Sequence, residues 1–580
     1  MGSAALMGEP AATESPPVKA SRFADVPALA ALSAAWWAGV ALVGPRGDFP
    51  LNDDWGYAPA VRALVDEGAL RFTDWQSMPL ITHVLWGWLF AAPAGFSHDA
   101  LRLSTLVLGW LGVLAMYALL RQLKAPRFAA GVGAALLLVN PLYFGLAFSF
   151  MTDVPFTAVV IAASAAWLRA EQEESRGWLA VATLLALWAT LNRQLGIALP
   201  MAWTLVSLLR HGPRSPRWFR DALVPAAIVI GALLVYQKVI EATVGLPTLY
   251  AYKTEELTLA LGDLARGHGL RAPAGRSLLS LLYLGLFTLP LSATIFDALE
   301  RGRLSRILPL LGACVGALLA GNGLDLPLTG NVWLDLGMGP RTAPGVVGPA
   351  SPKIGIVFTT AAGLGAGFFV HALIRGAQRA GLRVDGESLR ALPRQLWDGL
   401  RSRVPRVGEV PAWAWLFLLL AGAISFAPTS IVYGAFFDRY LLLQLPFAIA
   451  LVWAACVPRE ARGPGRWVAL AALVGAFAYS VAATHDYMGW QRARWEGVAL
   501  LETRGVGRDQ IRGGFEVDNR APEAQFVSRP KAPYAVALAP LHDHETVAAI
   551  EVDAWLPAAV ERVYVLRQPK RLRDEGASTP

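Results

Sequence analysis

Long apolar stretches alternate with short polar segments along most of the chain. A helix that crosses a bilayer needs about 20 mostly apolar residues. Strong runs of this kind begin near residues 27, 101, 128, 154, 223, 278, 354, 411 and 467, and weaker ones near 178, 196, 307 and 441. The pattern therefore predicts an α-helical polytopic membrane protein with about 13 transmembrane helices.

The composition agrees with this prediction. Of the 580 residues, 55% are hydrophobic and 16% are charged, whereas about a quarter of the residues in a soluble domain are charged. The net charge of +8 would suggest nucleic acid as a partner of a soluble protein. Here the basic residues cluster between apolar runs, so we expect no nucleic-acid partner. Cys314 and Cys456 both lie in apolar stretches, and we predict no disulfide framework and no cysteine metal site.

The basic clusters predict the orientation, because lysine and arginine are enriched in cytoplasmic loops. With the spans above, the five most basic gaps lie on the same side as the N-terminus. These gaps are residues 121–127, 210–220, 301–306, 375–406 and 459–466. We expect a cytoplasmic tail over residues 1–26 and a transmembrane domain over residues 27–484. The first apolar run also fits a signal peptide, but the polar stretch before it and the many later spans favour an uncleaved anchor.

Residues 485–580 differ from the rest of the chain. They contain turns and β-type runs, such as the segment from Arg562 to Leu566. We predict a small extracytoplasmic α/β domain of about 95 residues. The glycine-rich stretch 337–352 lacks the spacing of a phosphate loop, and we interpret it as a flexible external loop.

Two adjacent carboxylates, Asp53 and Asp54, stand in the predicted external loop 46–78. One interpretation is a helix N-cap before the amphipathic run 57–70. The other is a general base, because crowded carboxylates raise the pKa of one of them and suit it to take a proton from a hydroxyl. The two interpretations are compatible. The pair also has the chemistry to hold a divalent cation, although the sequence indicates no definite cofactor or metal.

Other polar residues fall at the same predicted face. Asp153 stands before Pro155 at a helix start, where capping is the commoner role. The remaining clusters are Asn192, Arg193 and Gln194, and Asp438, Arg439 and Tyr440. Each arginine either extends toward lipid headgroups or binds a lipid phosphate with its planar fork of donors. Arg341 and Lys353 are weaker candidates for the second role.

The histidines give less information. His83 follows the first external loop and is more typical of a packed side chain than of a catalytic one. The segment His542, Asp543, His544 and Glu545 has metal-binding residue types, but its close spacing favours a solvated loop.

The order of these motifs resembles the GT-C membrane glycosyltransferases, and within them glycosyltransferase family 39, which includes protein O-mannosyltransferases and the lipid A aminoarabinose transferase. The resemblance covers about residues 27–460 in plan. The matching elements are Asp53 to Tyr57, Met151 to Phe156, Asn192 to Gln194 with Leu199 and Pro200, and Asp438 to Leu442. Two departures stand out. Gly56 replaces a basic residue that some relatives carry, and the segment 76–79 lacks their lysine.

The resemblance implies a polyprenyl-phosphate-linked sugar donor and a first-loop aspartate as catalytic base, which corresponds to Asp53 ahead of Tyr57. Asp54 would be its neighbour, and Asp153 would orient the acceptor or support the base. Arg193 and Arg439 would hold the phosphate. The implied reaction is an inverting transfer of a hexosyl or pentosyl group to a lipid, glycan or protein acceptor outside the bacterial inner membrane.

Three other classes remain open at this point. A transporter of lipid-linked saccharide would place acids within spans and show two similar halves. An O-antigen polymerase or ligase uses the same lipid carrier but relies on arginine and histidine in large external loops. A non-catalytic scaffold would tolerate replacement of the external acids.

Overall fold

The computed structural model describes residues 24–295, 303–324, 326–327, 332–345, 347, 352–379, 406–407, 410–432, 434–455, 464–519, 532–557 and 560–569. Three features of the sequence lie outside these ranges: most of the predicted cytoplasmic tail, most of the basic segment 375–406, and Cys456.

Helices make up most of the described chain. Its α-helices are α1 (Val26–Val43), α2 (Asp54–Asp66), α3 (Ile81–Ala91), α4 (His98–Gln122), α5 (Arg127–Leu138), α6 (Pro141–Leu146), α7 (Asp153–Gln172), α8 (Arg176–Asn192), α9 (Ala198–His211), α10 (Pro216–Thr243), α11 (Thr248–Ala265), α12 (Arg271–Ile295), α13 (Arg303–Gly321), α14 (Pro352–Arg379), α15 (Ala412–Ile431), α16 (Gln444–Ala454), α17 (Pro464–Thr503) and α18 (Phe515–Asp518). A π-type turn over Phe219–Leu223 interrupts the start of α10.

The predicted polytopic helical fold is confirmed, but the count of 13 spans is not. Nine helices in the described part of the chain are long and apolar enough to cross a membrane: α1, α4, α7, α10, α12, α13, α14, α15 and α17. The weaker run at residue 307 is one of them. The strong run at residue 128 divides into α5 and α6, because Pro141 follows Asn140, whose side chain caps α6 through the N–H groups of Leu142 and Tyr143.

Helix α7 is the most buried of the candidate spans in the described part of the chain. In its most apolar stretch 83% of the residues are buried, against 28% for α1 and α10. Helix α7 therefore lies inside the bundle, whereas α1 and α10 leave much of their surface to lipid. Asp153 is the first residue of this central helix, so its carboxylate stands at the end of the most enclosed span.

The C-terminal region contains a small mixed sheet, as the sequence predicts. Its strands are β3 (Ile511–Arg512), β4 (Tyr534–Ala537), β5 (Glu545–Glu551) and β6 (Arg562–Arg567), in the order β3-β4-β6-β5, and a separate hairpin pairs β1 (Arg406–Val407) with β2 (Val410–Pro411). Strands β3 and β4 are parallel, and the other neighbours are antiparallel. Strand β6 contains the predicted β-type run from Arg562 to Leu566.

The predicted domain boundary at residue 485 falls inside α17, which continues unbroken for 40 residues. The apolar run ends near this point, but the helix does not, since its later turns pack against the sheet. An added Cβ at Gly497 would lie 3.0 Å from Val565 and 3.2 Å from Val536. The sheet is thus built directly on the extension of a membrane helix.

Candidate active site

Asp53 and Asp54 are adjacent at the start of α2, but their carboxylates have different partners. Asn52 turns the chain with a φ of 51°, which asparagine tolerates better than most residues. Asp54 Oδ2 accepts a hydrogen bond from the Leu51 N–H at 3.1 Å. Asp53 occupies the N-cap position but makes no side-chain cap hydrogen bond. Its carboxylate is therefore available to other groups.

The pKa of Asp54 is raised, but the main cause is not the crowding of carboxylates that the sequence suggested. Burial raises the pKa of Asp54 to about 7, against the lowering effects of the Phe150 and Leu51 backbone N–H groups and the Arg102 guanidinium. The neighbouring charge of Asp53 makes only a small contribution in the same direction. Desolvation, rather than crowding of like charges, is thus the main cause of the raised pKa of Asp54.

Two ion pairs bring together the acids and arginines that the sequence singles out. Arg439 Nη1 lies 3.1 Å from Asp53 Oδ2, and Arg193 Nη1 lies 2.6 Å from Asp153 Oδ1. The four side chains are between 4% and 16% exposed. Residues separated by up to 386 positions in the sequence therefore form one enclosed charged cluster.

Arg439 keeps hydrogen-bonding capacity beyond its ion pair. Although burial lowers it, the carboxylates of Asp53 and Asp153 raise the pKa of Arg439 above its ordinary value, so the side chain stays cationic. Its Nε is buried without a hydrogen-bond partner in the described part of the chain. A guanidinium in this state can bind a further anion with its free donors.

A narrow cleft opens on this cluster. Asp153, Arg193, Arg439 and Tyr440 line it together with residues of α7, α15 and α16. The Arg439 guanidinium lies 5.9 Å from the centre of the Tyr440 ring. Tyr57 is buried beside the cluster, and burial followed by the charge of Asp53 raises its pKa well above the ordinary value. Its hydroxyl therefore stays neutral.

The remaining predicted residues hold backbone in place. Asp438 is fully buried, and its carboxylate accepts hydrogen bonds from the Trp333 N–H at 2.8 Å and the Arg439 N–H at 2.7 Å. The sequence predicted Asp438 as a substrate-binding residue; in the structure its carboxylate holds the backbone on either side of the site. Gln194 donates to the Ser77 carbonyl at 3.4 Å and so connects the tip after α8 to the loop between α2 and α3.

Trp75 is a site residue that the sequence motifs do not reveal. Its Nε1 donates a hydrogen bond to Asp53 Oδ1 at 3.2 Å. The ring packs against Gly56, where an added Cβ would lie 2.6 Å from Trp75 Cδ1. Gly56 stands where some relatives carry a basic residue. Because it has no side chain, it lets the indole approach Asp53. The departure alone could have pointed to a close contact here.

The C-terminal region also reaches the site, through Glu516 of α18. Its carboxylate accepts from the Asn52 N–H at 2.9 Å and pairs with Arg494 of α17 at 2.7 Å. Both side chains of this pair are at most 1% exposed. A buried ion pair is strongly coupled to its surroundings, so the segment immediately before Asp53 is fixed by residues more than 400 positions away. No local sequence signal identifies this link.

Arg102 is another buried arginine, and its guanidinium binds backbone oxygens. It donates to the backbone oxygens of Phe148, Pro45, Gly47 and Phe49. These contacts join the loop before α2 to the segment before α7. The two carboxylate-bearing segments are thereby held side by side.

None of the histidine candidates forms one of the cluster's ion pairs. His83 Nε2 is 3.0 Å from the Phe150 carbonyl, and its ring stacks on that of Phe150, which is the packed position that we expected. Within the described ranges, no three His, Cys, Asp or Glu side chains are grouped so that they could hold a metal ion. This holds for His542, His544 and the Asp53–Asp54 pair.

An apolar cavity of about 850 Å³ lies among α5, α12, α14 and α17. Leu136, Phe287, Phe358 and Trp333 are among its lining residues. The Trp333 N–H is the donor to Asp438, which directly precedes Arg439. The cavity therefore approaches the backbone that carries Arg439.

Residues 79–240 match the sequence model of the family described as dolichyl-phosphate-mannose-protein mannosyltransferase. A comparison with curated proteins finds no match. Among solved structures, ArnT from Cupriavidus metallidurans bound to undecaprenyl phosphate is similar with a TM-score of 0.41 and 15% identity, over 93% of this chain and 97% of that chain. The oligosaccharyltransferase AglB from Archaeoglobus fulgidus, in complex with an inhibitory peptide and a dolichol-phosphate, has a TM-score of 0.38 and 13% identity, over 80% of this chain and 56% of that chain.

The predicted resemblance is confirmed by the family match. The match over residues 79–240 and the apolar helices support the resemblance to a GT-C membrane glycosyltransferase similar to family 39.

Proposed function

We propose that the protein transfers a hexosyl or pentosyl group from a polyprenyl-phosphate-linked donor to an acceptor hydroxyl at the extracytoplasmic face. The observation that supports this most directly is the contact between Arg439 and Asp53. It puts a cation suited to a phosphate beside a carboxylate suited to a hydroxyl proton.

The reaction would be a single displacement. Asp53 accepts the proton of the acceptor hydroxyl, whose oxygen forms a bond to the anomeric carbon. The bond from that carbon to the phosphate oxygen breaks, and the lipid phosphate leaves with the electron pair. Because a phosphate is a good leaving group, the demands on the protein are a base and a cationic clamp. One displacement inverts the anomeric configuration.

The free donors of Arg439 make it the central phosphate ligand in this proposal. Arg193, fixed by Asp153, adds a second cation to the same cleft. Tyr57 and Tyr440 supply hydroxyl groups beside both arginines. Asp54 and Asp438 act as positioning residues, since their carboxylates accept backbone hydrogen bonds.

The apolar cavity provides space for a hydrocarbon chain close to the charged cluster. Its walls are almost entirely apolar side chains, and an isoprenoid chain requires such surroundings. We propose that it receives part of the donor lipid.

A transfer assay with donor analogues tests the proposal. Full-length protein in lipid nanodiscs is incubated with a radiolabelled polyprenyl-phosphate sugar and a mixture of candidate acceptors, and the anomeric configuration of the product is determined by NMR. We expect lipid phosphate release and an inverted product. Retained configuration would contradict the single displacement. Saccharide translocation without release of lipid phosphate would favour the transporter.

A further inference from the structure

A second pocket has Trp75 in its wall and shares no lining residue with the cleft that Arg193 and Arg439 line. It has a volume of about 380 Å³, within the range of small-molecule sites. Three segments form it: Trp75 of the first external loop, residues 341–344, and residues 512–519 of the C-terminal region. We call it the Arg341/Arg512 pocket.

The pocket carries two arginines with open donors. Neither the Arg341 nor the Arg512 guanidinium has a carboxylate within salt-bridge distance among the described residues. Asp518, the one acid among the described residues of the wall, is buried and accepts a hydrogen bond from the Gly513 N–H at 2.8 Å. The two cations outnumber this carboxylate, so the pocket favours an anion.

The walls also suit a sugar ring. Trp75 and Phe515 present aromatic surfaces whose ring centres are 5.7 Å apart. The Asn519 Oδ1 is buried without a hydrogen-bond partner in the described chain, although its Nδ2 donates to the Phe515 carbonyl. A buried amide oxygen without a partner is costly unless a ligand hydroxyl or water satisfies it. Aromatic walls with a few polar groups are typical of ligand sites.

Backbone hydrogen bonds fix the segments that form the pocket wall. The Phe515 N–H donates to the Thr342 carbonyl at 3.0 Å, and Gly514, with a φ of +94°, lets the two segments meet, because an added Cβ would lie 2.1 Å from the Thr342 oxygen. Asp335 fixes the other segment by accepting from the Arg341 N–H and the Thr342 hydroxyl. Both arginines therefore stand on restrained backbone.

Trp75 connects this pocket to the proposed base. Its ring lines the pocket, and its Nε1 binds Asp53. A molecule in the pocket would thus be separated from Asp53 by the indole of Trp75. We propose that the Arg341/Arg512 pocket binds the acceptor, and that this acceptor is a sugar bearing an anionic group, either a phosphate or a carboxylate. That the bound sugar is the acceptor rests on the proposed function. The affinity of the pocket for anionic sugars does not depend on it.

Binding by the full-length protein in detergent tests the pocket without turnover. The probes for isothermal titration are glucose 1-phosphate, glucuronic acid and, as the neutral match, methyl glucoside. We expect at least one acidic probe to bind about tenfold or more tightly than methyl glucoside. The double variant R341Q/R512Q should lose about tenfold or more of that affinity, as expected for charge-assisted hydrogen bonds. Preference for phosphate or for carboxylate identifies the source of the anionic group.

Two control variants assign the result to this pocket. Arg504 is exposed on the chain after α17, so R504Q removes a charge elsewhere and should leave binding unchanged. R439Q should also leave it unchanged, since Arg439 lies in the donor cleft. Loss in R439Q but not in R341Q/R512Q would show that the probe occupies the donor cleft and would overturn the inference, as would equal affinity for all three probes. If binding behaves as expected but donor turnover fails, the proposed function alone is wrong.

Discussion

Arg439 Nη1 lies 3.1 Å from Asp53 Oδ2, so the proposed phosphate ligand and the proposed base are in contact before any substrate binds. The guanidinium can hold the carboxylate with one nitrogen and a phosphate with others. Base and leaving group would then be positioned by a single side chain. Changes at either residue should therefore affect both binding and chemistry, but in different proportions.

Replacement of Arg439 tests the clamp. We expect Arg439→Ala to raise the apparent KM for a polyprenyl-phosphate sugar by about tenfold or more, because a charged hydrogen bond to the phosphate is lost. Arg439→Lys keeps the charge without the planar fork and should recover only part of the affinity. R504A serves as the matched control. An unchanged donor KM in Arg439→Ala would indicate an arginine that merely extends to lipid headgroups.

Gly56→Ala tests the role of Trp75. The new Cβ would meet the indole at 2.6 Å, so the ring must shift and weaken its hydrogen bond to Asp53. We expect a lower kcat with donor KM little changed, and a loss of about 1–3 kcal/mol in unfolding free energy from overpacking. Gly131→Ala is the control, since its added Cβ meets nothing within 4 Å.

Trp75→Phe separates the indole N–H from the bulk of the ring. We expect it to reproduce the fall in kcat of Gly56→Ala with a smaller loss of stability. Wild-type kcat in Trp75→Phe, measured with saturating donor, would remove Trp75 from the positioning of Asp53.

The Glu516–Arg494 pair should support the site from a distance. Glu516→Ala leaves Arg494 as an uncompensated buried charge and removes the acceptor of the Asn52 N–H. We expect a loss of about 3–5 kcal/mol of stability, together with reduced transfer by the protein that remains folded. Thermal unfolding in detergent and specific activity of the folded fraction measure the two effects. Glu496→Ala, at an exposed position of α17, should change neither, and a similar loss in both variants would contradict the specific link.

The buried acids should make stability depend on pH. Burial raises the pKa of Asp54 and of Asp335 to about 7 in the folded protein, from an ordinary value of 3.8. The folded state then binds more protons than the unfolded state between these values, so this contribution to stability is present at low pH and is lost as pH rises through about 7. We expect the Tm to fall between pH 5 and 8, and to fall less in Asp54→Asn. Equal slopes for the wild type and Asp54→Asn would contradict the assignment.

The sequence predicted those features that depend on local pattern. Apolar length and periodicity located α4, α7 and α14, and the motif order brought Asp53, Asp153 and the arginines into one hypothesis. The break at Asn140 was missed because Pro141 lies inside an otherwise continuous apolar run. The continuation of α17 past residue 485 was missed because a helix that leaves the membrane keeps its hydrogen bonds while its composition changes.

The rest of the site depends on contacts between distant segments, which local patterns do not encode. Nothing near Trp75 marks it as a partner of Asp53, and nothing near Glu516 marks it as a partner of Asn52. The sequence also could not predict why the pKa of Asp54 is raised. The adjacent Asp53 suggests repulsion between charges, whereas in the fold burial is the largest cause.

The most direct test of the account is the kcat of Asp53→Asn with a polyprenyl-phosphate sugar and a competent acceptor, compared with Asp66→Asn at the exposed end of α2. We predict that Asp53→Asn folds and inserts normally, binds the donor, and loses about 10²–10⁴-fold in kcat, while Asp66→Asn retains wild-type kcat. Full transfer activity in Asp53→Asn would contradict the assignment of Asp53 as the base.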